Sequence, residues 1–218
     1  LKMQIPLTDA SKVVVQGNLK FAGNEVQLWP ALPTLTNVQG ELGFSDHGFQ
    51  IATLQGNALG GLVGISGGSQ RDGSTQIRLD GAATADGVGR FMSGNASKRL
   101  ARRLSGGTRY VANIKIRDQR LDFALDSNLV GLGIDLPAPL RKAALESAPL
   151  RVLITPSTLL DKTTQAEEIR VTLGRNITAR YLRTRPAASQ TNWKLVRGSI
   201  GVNTPLPAND SGVALSIN

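Results

Sequence analysis

"YVANIKIRDQRLDFALD", Tyr110 to Asp126, alternates apolar and polar residues in two runs separated by a short charged break. In the first run Ala112, Ile114 and Ile116 share one side, and Asn113, Lys115 and Arg117 share the other. In the second, Leu121, Phe123 and Leu125 oppose Asp122 and Asp126. A period of two is that of a β-strand with one buried face, because successive side chains leave the pleat on opposite sides. The "RDQR" between the runs is of hairpin length, so the two strands are antiparallel.

The same pattern extends outward in both directions. Ile77 and Leu79 share a face in "TQIRLDGAA", as do Ile169, Val171 and Leu173 in "EEIRVTLG" and Ile177, Ala179 and Tyr181 in "NITARY". Connectors such as "SDHG" and "QRDGS" are again short and rich in turn formers. The expected fold is mainly β and antiparallel. One β-rich segment spans 1–218, with a first strand group in 1–85 (strands from about Lys12 to Ala83), a helix in 86–106 and a second strand group in 107–218. In the helical stretch Val88, Phe91, Met92, Ala96, Leu100 and Leu104 recur at three- and four-residue steps. Asp86 is placed to cap its start and Gly106 and Gly107 to stop it, while Gly89 and Gly94 weaken its middle.

Only 4% of residues are aromatic, against 40% hydrophobic overall and 24 glycines, so the core must be built from aliphatic side chains on a glycine-punctuated frame. There is no cysteine, which excludes disulfides, thiol nucleophiles and Cys-based metal sites. No apolar run is long enough to span a bilayer and no signal-peptide pattern opens the chain; it begins at Leu1 and runs straight into strand-like sequence, so it reads as an excised or processed piece of something longer.

Catalytic chemistry is not legible. A hydrolase needs a nucleophile with a base in reach, and the single histidine, His47, lies in the turn sequence "FSDHGF". "GNALGGLVGISGG" lacks the Gly-Lys-Ser/Thr ending of a phosphate loop, so its glycines read as bulges and close sheet packing. Glu167 and Glu168 point to opposite faces of one strand and are poor acid/base partners. The chain reads as a non-enzyme with no cofactor and no metal.

The formal charge of +9 favours polyanionic neighbours. Nucleic acid is set aside: there is no recognition helix, and the few aromatic rings fall in phase with the aliphatic face. Lys98, Arg99, Arg102 and Arg103 form a basic face at the end of the helical stretch. It is either a solvated face complementing the helix dipole or a contact for anionic headgroups or a partner.

"DSNLVGLGIDLPAPLRKAA", Asp126 to Ala144, interrupts the alternation. Pro137 and Pro139 cannot donate to a ladder, so the strand ends by Leu136, and "PLRKAALES" is expected to form a short helix before "LRVLIT" resumes a strand.

This segment, together with "LTNVQGELGFSDHGFQIATLQGNALGG", "IRLDGAA" and "RRLSGGTRYVANIKI", resembles the YhdP proteins, large AsmA-like proteins of Gram-negative bacteria related to TamB. The resemblance covers most of the chain, from about Thr36 onward, and "SNLVGLGIDLPAPLRK" is its most specific part. It implies a curved, groove-like antiparallel sheet with an apolar interior, in a periplasmic segment of an inner-membrane-anchored protein that moves phospholipid between the two membranes. Expected partners are phospholipid, neighbouring segments of the same chain and other envelope proteins. The family pattern carries no point-like functional residue.

Candidate lipid-lining residues are therefore the apolar members of the alternating strands: Ile77, Leu79, Ile114, Ile116, Leu121, Phe123, Leu125, Val171 and Leu173. Alternation reports one buried face without saying what buries it, so a closed core in a scaffold segment remains the second reading. Leu132, Ile134, Leu136, Pro137, Pro139 and Leu140 form the corner, which either shapes the sheet or gates one end of a trough.

Overall fold

The computed structural model describes residues 2–4, 14–92, 95–157, 164–186 and 193–218; the proposed first-group start at Lys12 lies outside them. The strands are β1 (Lys2–Gln4), β2 (Val14–Val26), β3 (Leu35–Ser45), β4 (Gly48–Ala58), β5 (Gly61–Ser69), β6 (Thr75–Thr84), β7 (Leu104–Arg117), β8 (Arg120–Ser127), β9 (Leu132–Ile134), β10 (Leu150–Ser157), β11 (Thr164–Leu173), β12 (Ile177–Pro186), β13 (Lys194–Val202) and β14 (Gly212–Ile217). The expectation of a mainly β, curved antiparallel sheet holds: all strands but β9 follow one another in chain order across an open sheet, and β9 hangs off the start of β7. Every pair is antiparallel except β13 with β14, which are parallel.

Tight turns account for this order. Asp46 and His47 join β3 to β4, Leu59 and Gly60 join β4 to β5, and Asp118 and Gln119 join β7 to β8. In the last two turns both central residues have positive φ, from 48° to 81°, the left-handed geometry whose twist matches the flanking strands. The longer β5–β6 turn is held by Asp72, whose carboxylate accepts from the Ser74 amide at 3.0 Å and the Ser74 hydroxyl at 2.6 Å.

Those two bonds, with Lys115 nearby, lower the Asp72 pKa from 3.8 to about 2. The folded state therefore binds fewer protons than the unfolded chain between these values, and stability rises with pH across that window. The stability difference between the native chain and Asp72→Asn should be fully present above about pH 4 and vanish as pH falls through 2. Urea midpoints measured across the range test this; a pH-independent difference would show that the turn is not held by the ionised carboxylate.

The helical stretch is two helices, α1 (Ala85–Phe91) and α2 (Asn95–Ala101), rather than one. Thr84, not Asp86, caps α1, its hydroxyl accepting from the Gly87 amide at 3.0 Å. Gly106 and Gly107 do not stop a helix but lie within β7, where Gly106 has a φ of +76° and a Cβ would press on the Gly131 carbonyl. Glycine is needed there for close backbone approach, a signal that sequence cannot separate from a helix stop.

The short helix expected after Pro139 is also absent. Residues 135–149 make turns and one antiparallel bridge between Ile134 and Lys142, and the Ala138–Pro139 peptide is cis. Nine residues of helix-forming sequence cannot nucleate a helix unaided, and here Lys142 offers the backbone another set of bonds. Its side chain is buried, and Nζ donates to the carbonyls of Leu132 at 2.7 Å, Ala143 at 2.9 Å and Ala144 at 3.4 Å. Burial pushes its pKa below the usual lysine value, with Glu146 opposing the shift.

Candidate functional site: one apolar face of the sheet

Strand register places a continuous apolar face across the sheet. Ile114 on β7 pairs with Ile77 on β6 and Phe123 on β8; Phe123 pairs with Ile154 on β10, and Ile154 with Ile169 on β11. The row continues through Val171, Ala179 and Ile200 to Leu215 on β14. On the other face the matching rows are polar, for example Arg78, Asn113, Asp122, Arg151 and Arg170.

Exposure along this face is graded. From β3 to β8 it is a closed core: Val38, Val63, Ile77, Leu79, Ile114 and Leu121 are all buried, with Ile116, Phe123 and Leu125 half-buried against them. The β2–β3 connection adds Leu28, Trp29 and Leu32 to the same cluster. From β10 to β12 most of the face is half-buried, including Val152, Val171, Leu173 and Tyr181. At the open edge Val213, Leu215 and Ile217 are 57%, 60% and 64% exposed. The loop from β13 to β14 leaves them uncovered because it crosses the polar face instead, where the Pro207 carbonyl accepts from Ser199 Oγ at 2.9 Å and Leu182 is buried.

Glycines keep the packed half tight. Tyr110 lies over Gly81, its cross-strand partner, where an added Cβ would sit 2.8 Å from the ring. Tyr181 covers Gly198 in the same way in the open half.

The corner sits at one end of this face. Leu129 and Leu132 are buried with Ala85 of α1, and Leu104, Ile134, Leu150 and Leu173 pack against them. Leu136 and Leu140 are half-buried, while Pro137 and Pro139 are exposed. The basic side chains Lys98, Arg99, Arg102 and Arg103 are all exposed at the same end; Arg103 reaches Asp135 of the corner at 3.4 Å.

At the opposite end the apolar face turns polar. Arg183 and Arg185 are in phase with Ile177, Ala179 and Tyr181, and lie directly opposite Glu167 and Gln165 on β11. Arg183 is ion-paired with the buried Glu167, and the buried Arg185 donates to Gln165 Oε1 at 3.0 and 2.7 Å. Both guanidinium groups stand 4.7 Å from the centre of the Trp193 ring. This cluster is missing from the sequence-based candidates, although two arginines in the apolar phase of "NITARYLRTRP" are its visible signal.

Reaction chemistry has little to build on. His47 is a turn residue with an exposed ring 3.0 Å from Asp46, and Glu167 and Glu168 lie on opposite faces as expected. Glu168 is held below its usual pKa: burial opposes this, but hydrogen bonds from Arg180 and Arg170 outweigh it. Two grooves of about 610 Å³ on the polar face hold no nucleophile with a base. Among the described residues no cluster of three His, Asp or Glu could hold a metal, and no helix is long and apolar enough to cross a membrane.

A family model described as YhdP protein matches residues 1–218. The chain belongs to the YhdP family. The match runs through the strands before Thr36 as well as those after it, beyond the span of the sequence resemblance. No curated protein and no solved structure matches the chain. As a YhdP-family chain it is an AsmA-like envelope protein, and the open antiparallel sheet agrees with that membership.

Proposed function

We propose that this YhdP segment is a non-enzymatic, periplasmic stretch of a membrane-anchored lipid-transport protein, whose apolar sheet face shields phospholipid acyl chains from water. The supporting observation is the exposure gradient: one aliphatic face, closed between β3 and β8, is mostly half-buried from β10 to β12 and carries side chains more than half exposed on β14. Each methylene withdrawn from water onto such a face contributes about 0.8 kcal/mol. That attraction is non-directional, so a chain is held and still slides. The proposed lipid contacts centre on Val171 and Leu173 and extend to Val213, Leu215 and Ile217; Ile116, Phe123 and Leu125 border them, while Ile77, Leu79, Ile114 and Leu121 form the packed base. Neighbouring segments of the same chain and envelope proteins are the proposed macromolecular partners.

A scaffold role with a closed core is the second reading, favoured by the packed half between β3 and β8. Native mass spectrometry with lipid extraction from the same sample separates the two. The conduit predicts bound phospholipid that is lost in a folded Val171→Asp variant and retained in Thr172→Asp, whose side chain leaves the opposite face. Protein that stays lipid-free after incubation with phospholipid vesicles would leave the scaffold reading alone.

A further inference from the structure

The apolar face has a polar terminus. Along β12 it runs from Ile177 through Ala179 to Tyr181 and then meets Arg183 and Arg185; along β11 it runs from Leu173 through Val171 to Ile169 and then meets Glu167 and Gln165. At about 3.3 Å per residue, Ile177 and Arg183 are separated by roughly 20 Å of strand. The surface is thus arranged like an amphiphile: apolar along most of its length and charged at one end.

Among the described residues the charges at that end do not cancel. Arg183 and Arg185 bring two positive charges and Glu167 brings one negative charge, Gln165 being neutral. Arg185 and Glu167 are each 6% exposed, whereas 24% of the Arg183 side chain is exposed and reachable. In such surroundings a residual positive charge is weakly screened and attracts an anion more strongly than it would at an open surface. Trp193 carries both guanidinium groups over its ring, which restrains them before any ligand arrives. The planar fork of arginine matches the oxygens of a phosphate, and a point charge such as lysine does not.

We infer that Arg183, Arg185 and Trp193 form a subsite for the phosphate of a phospholipid headgroup, with the acyl chains lying along Tyr181, Ala179 and Ile177. The assignment rests on the acyl-shielding role proposed above and adds to it a headgroup position and a charge preference. Glu167 is the internal competitor: it occupies the face of Arg183 that the phosphate would use.

The test compares phosphatidic acid, diacylglycerol with the same acyl chains, and inorganic phosphate as ligands of the 218-residue chain. Arg183→Gln should weaken phosphatidic acid by roughly tenfold and leave diacylglycerol within about twofold, since it removes a charged contact from the head and none from the tails. Glu167→Gln should act in the opposite direction and tighten phosphatidic acid, which a fold defect would not do. Arg183→Lys should restore only part of the affinity. Unfolding midpoints for each variant establish that the comparison is between folded proteins. Equal binding of phosphatidic acid by the native chain and Arg183→Gln, with diacylglycerol also bound, overturns the headgroup subsite and leaves the acyl-shielding role standing. Binding of neither lipid by the native chain overturns both. Inorganic phosphate binding as tightly as phosphatidic acid overturns the lipid assignment in favour of a free anion.

Discussion

Ile114→Ala is expected to lower the unfolding free energy by about 2–5 kcal/mol, whereas Leu215→Ala is expected to leave it within about 0.5 kcal/mol. Both side chains are aliphatic and both belong to the same face of the same sheet. Ile114 is 2% exposed at the centre of the packed cluster, so truncation loses its transfer free energy and leaves a cavity that neighbouring strands cannot close. Leu215 is 60% exposed on the edge strand, so truncation there removes surface that water already covers. Urea unfolding with a common slope makes the comparison. Comparable losses at the two sites would mean that the face is closed along its whole length in solution, which would remove the basis for an open acyl-binding half.

Lys142→Met should cost about 1–3 kcal/mol while retaining the apolar stem of the side chain. The ammonium is the shared donor for three backbone carbonyls that bring both limbs of the corner together, and methionine leaves the buried Leu132 carbonyl without that donor. The effect should be local: amides between Gly131 and Ala144, including the Ile134–Lys142 bridge, should lose hydrogen-exchange protection before the β3–β8 ladder does. Arginine should not rescue, because its planar fork cannot place three donors on one compact point. Unchanged protection in the corner would assign its order to Leu129 and Leu132 packing alone.

The strands were legible where the chain alternates cleanly. Ile77, Leu79, Ala112, Ile114, Leu121 and Phe123 all lie on the face that the period of two assigns them, because a one-residue slip would move every one of them to the polar side. The helical region was legible only as a tendency. Gly89 lies inside α1 instead of breaking it, and Phe91 and Leu100, which share the apolar periodicity, are 49% and 39% exposed. The region after Pro139 is not legible in the sequence, because the lysine in "PLRKAA" is a helix former with a preference for the surface, while its bonds here run to carbonyls as far as Leu132. The exposure gradient was not legible at all. Val171 and Ile114 carry the same alternation signal, and what separates them is how the sheet curves, a property of many strands together.

The order of strands in the sheet also sets how the molecule can assemble. Almost every strand pairs with its predecessor in the chain, so most of the ladder forms from hairpins whose ends close at low entropic cost. Contacts of this kind let folding propagate from one growing edge, each new strand aligning on the one before it, without a distant segment having to return. Three steps depart from that rule: the helical connection between β6 and β7, the corner between β8 and β10, and the crossover that sets β14 parallel to β13. These are the points where propagation must pause while a longer connection is ordered, so they divide assembly of the sheet into stages: strands through β6, then β7 and β8, then β10 to β13, then the edge.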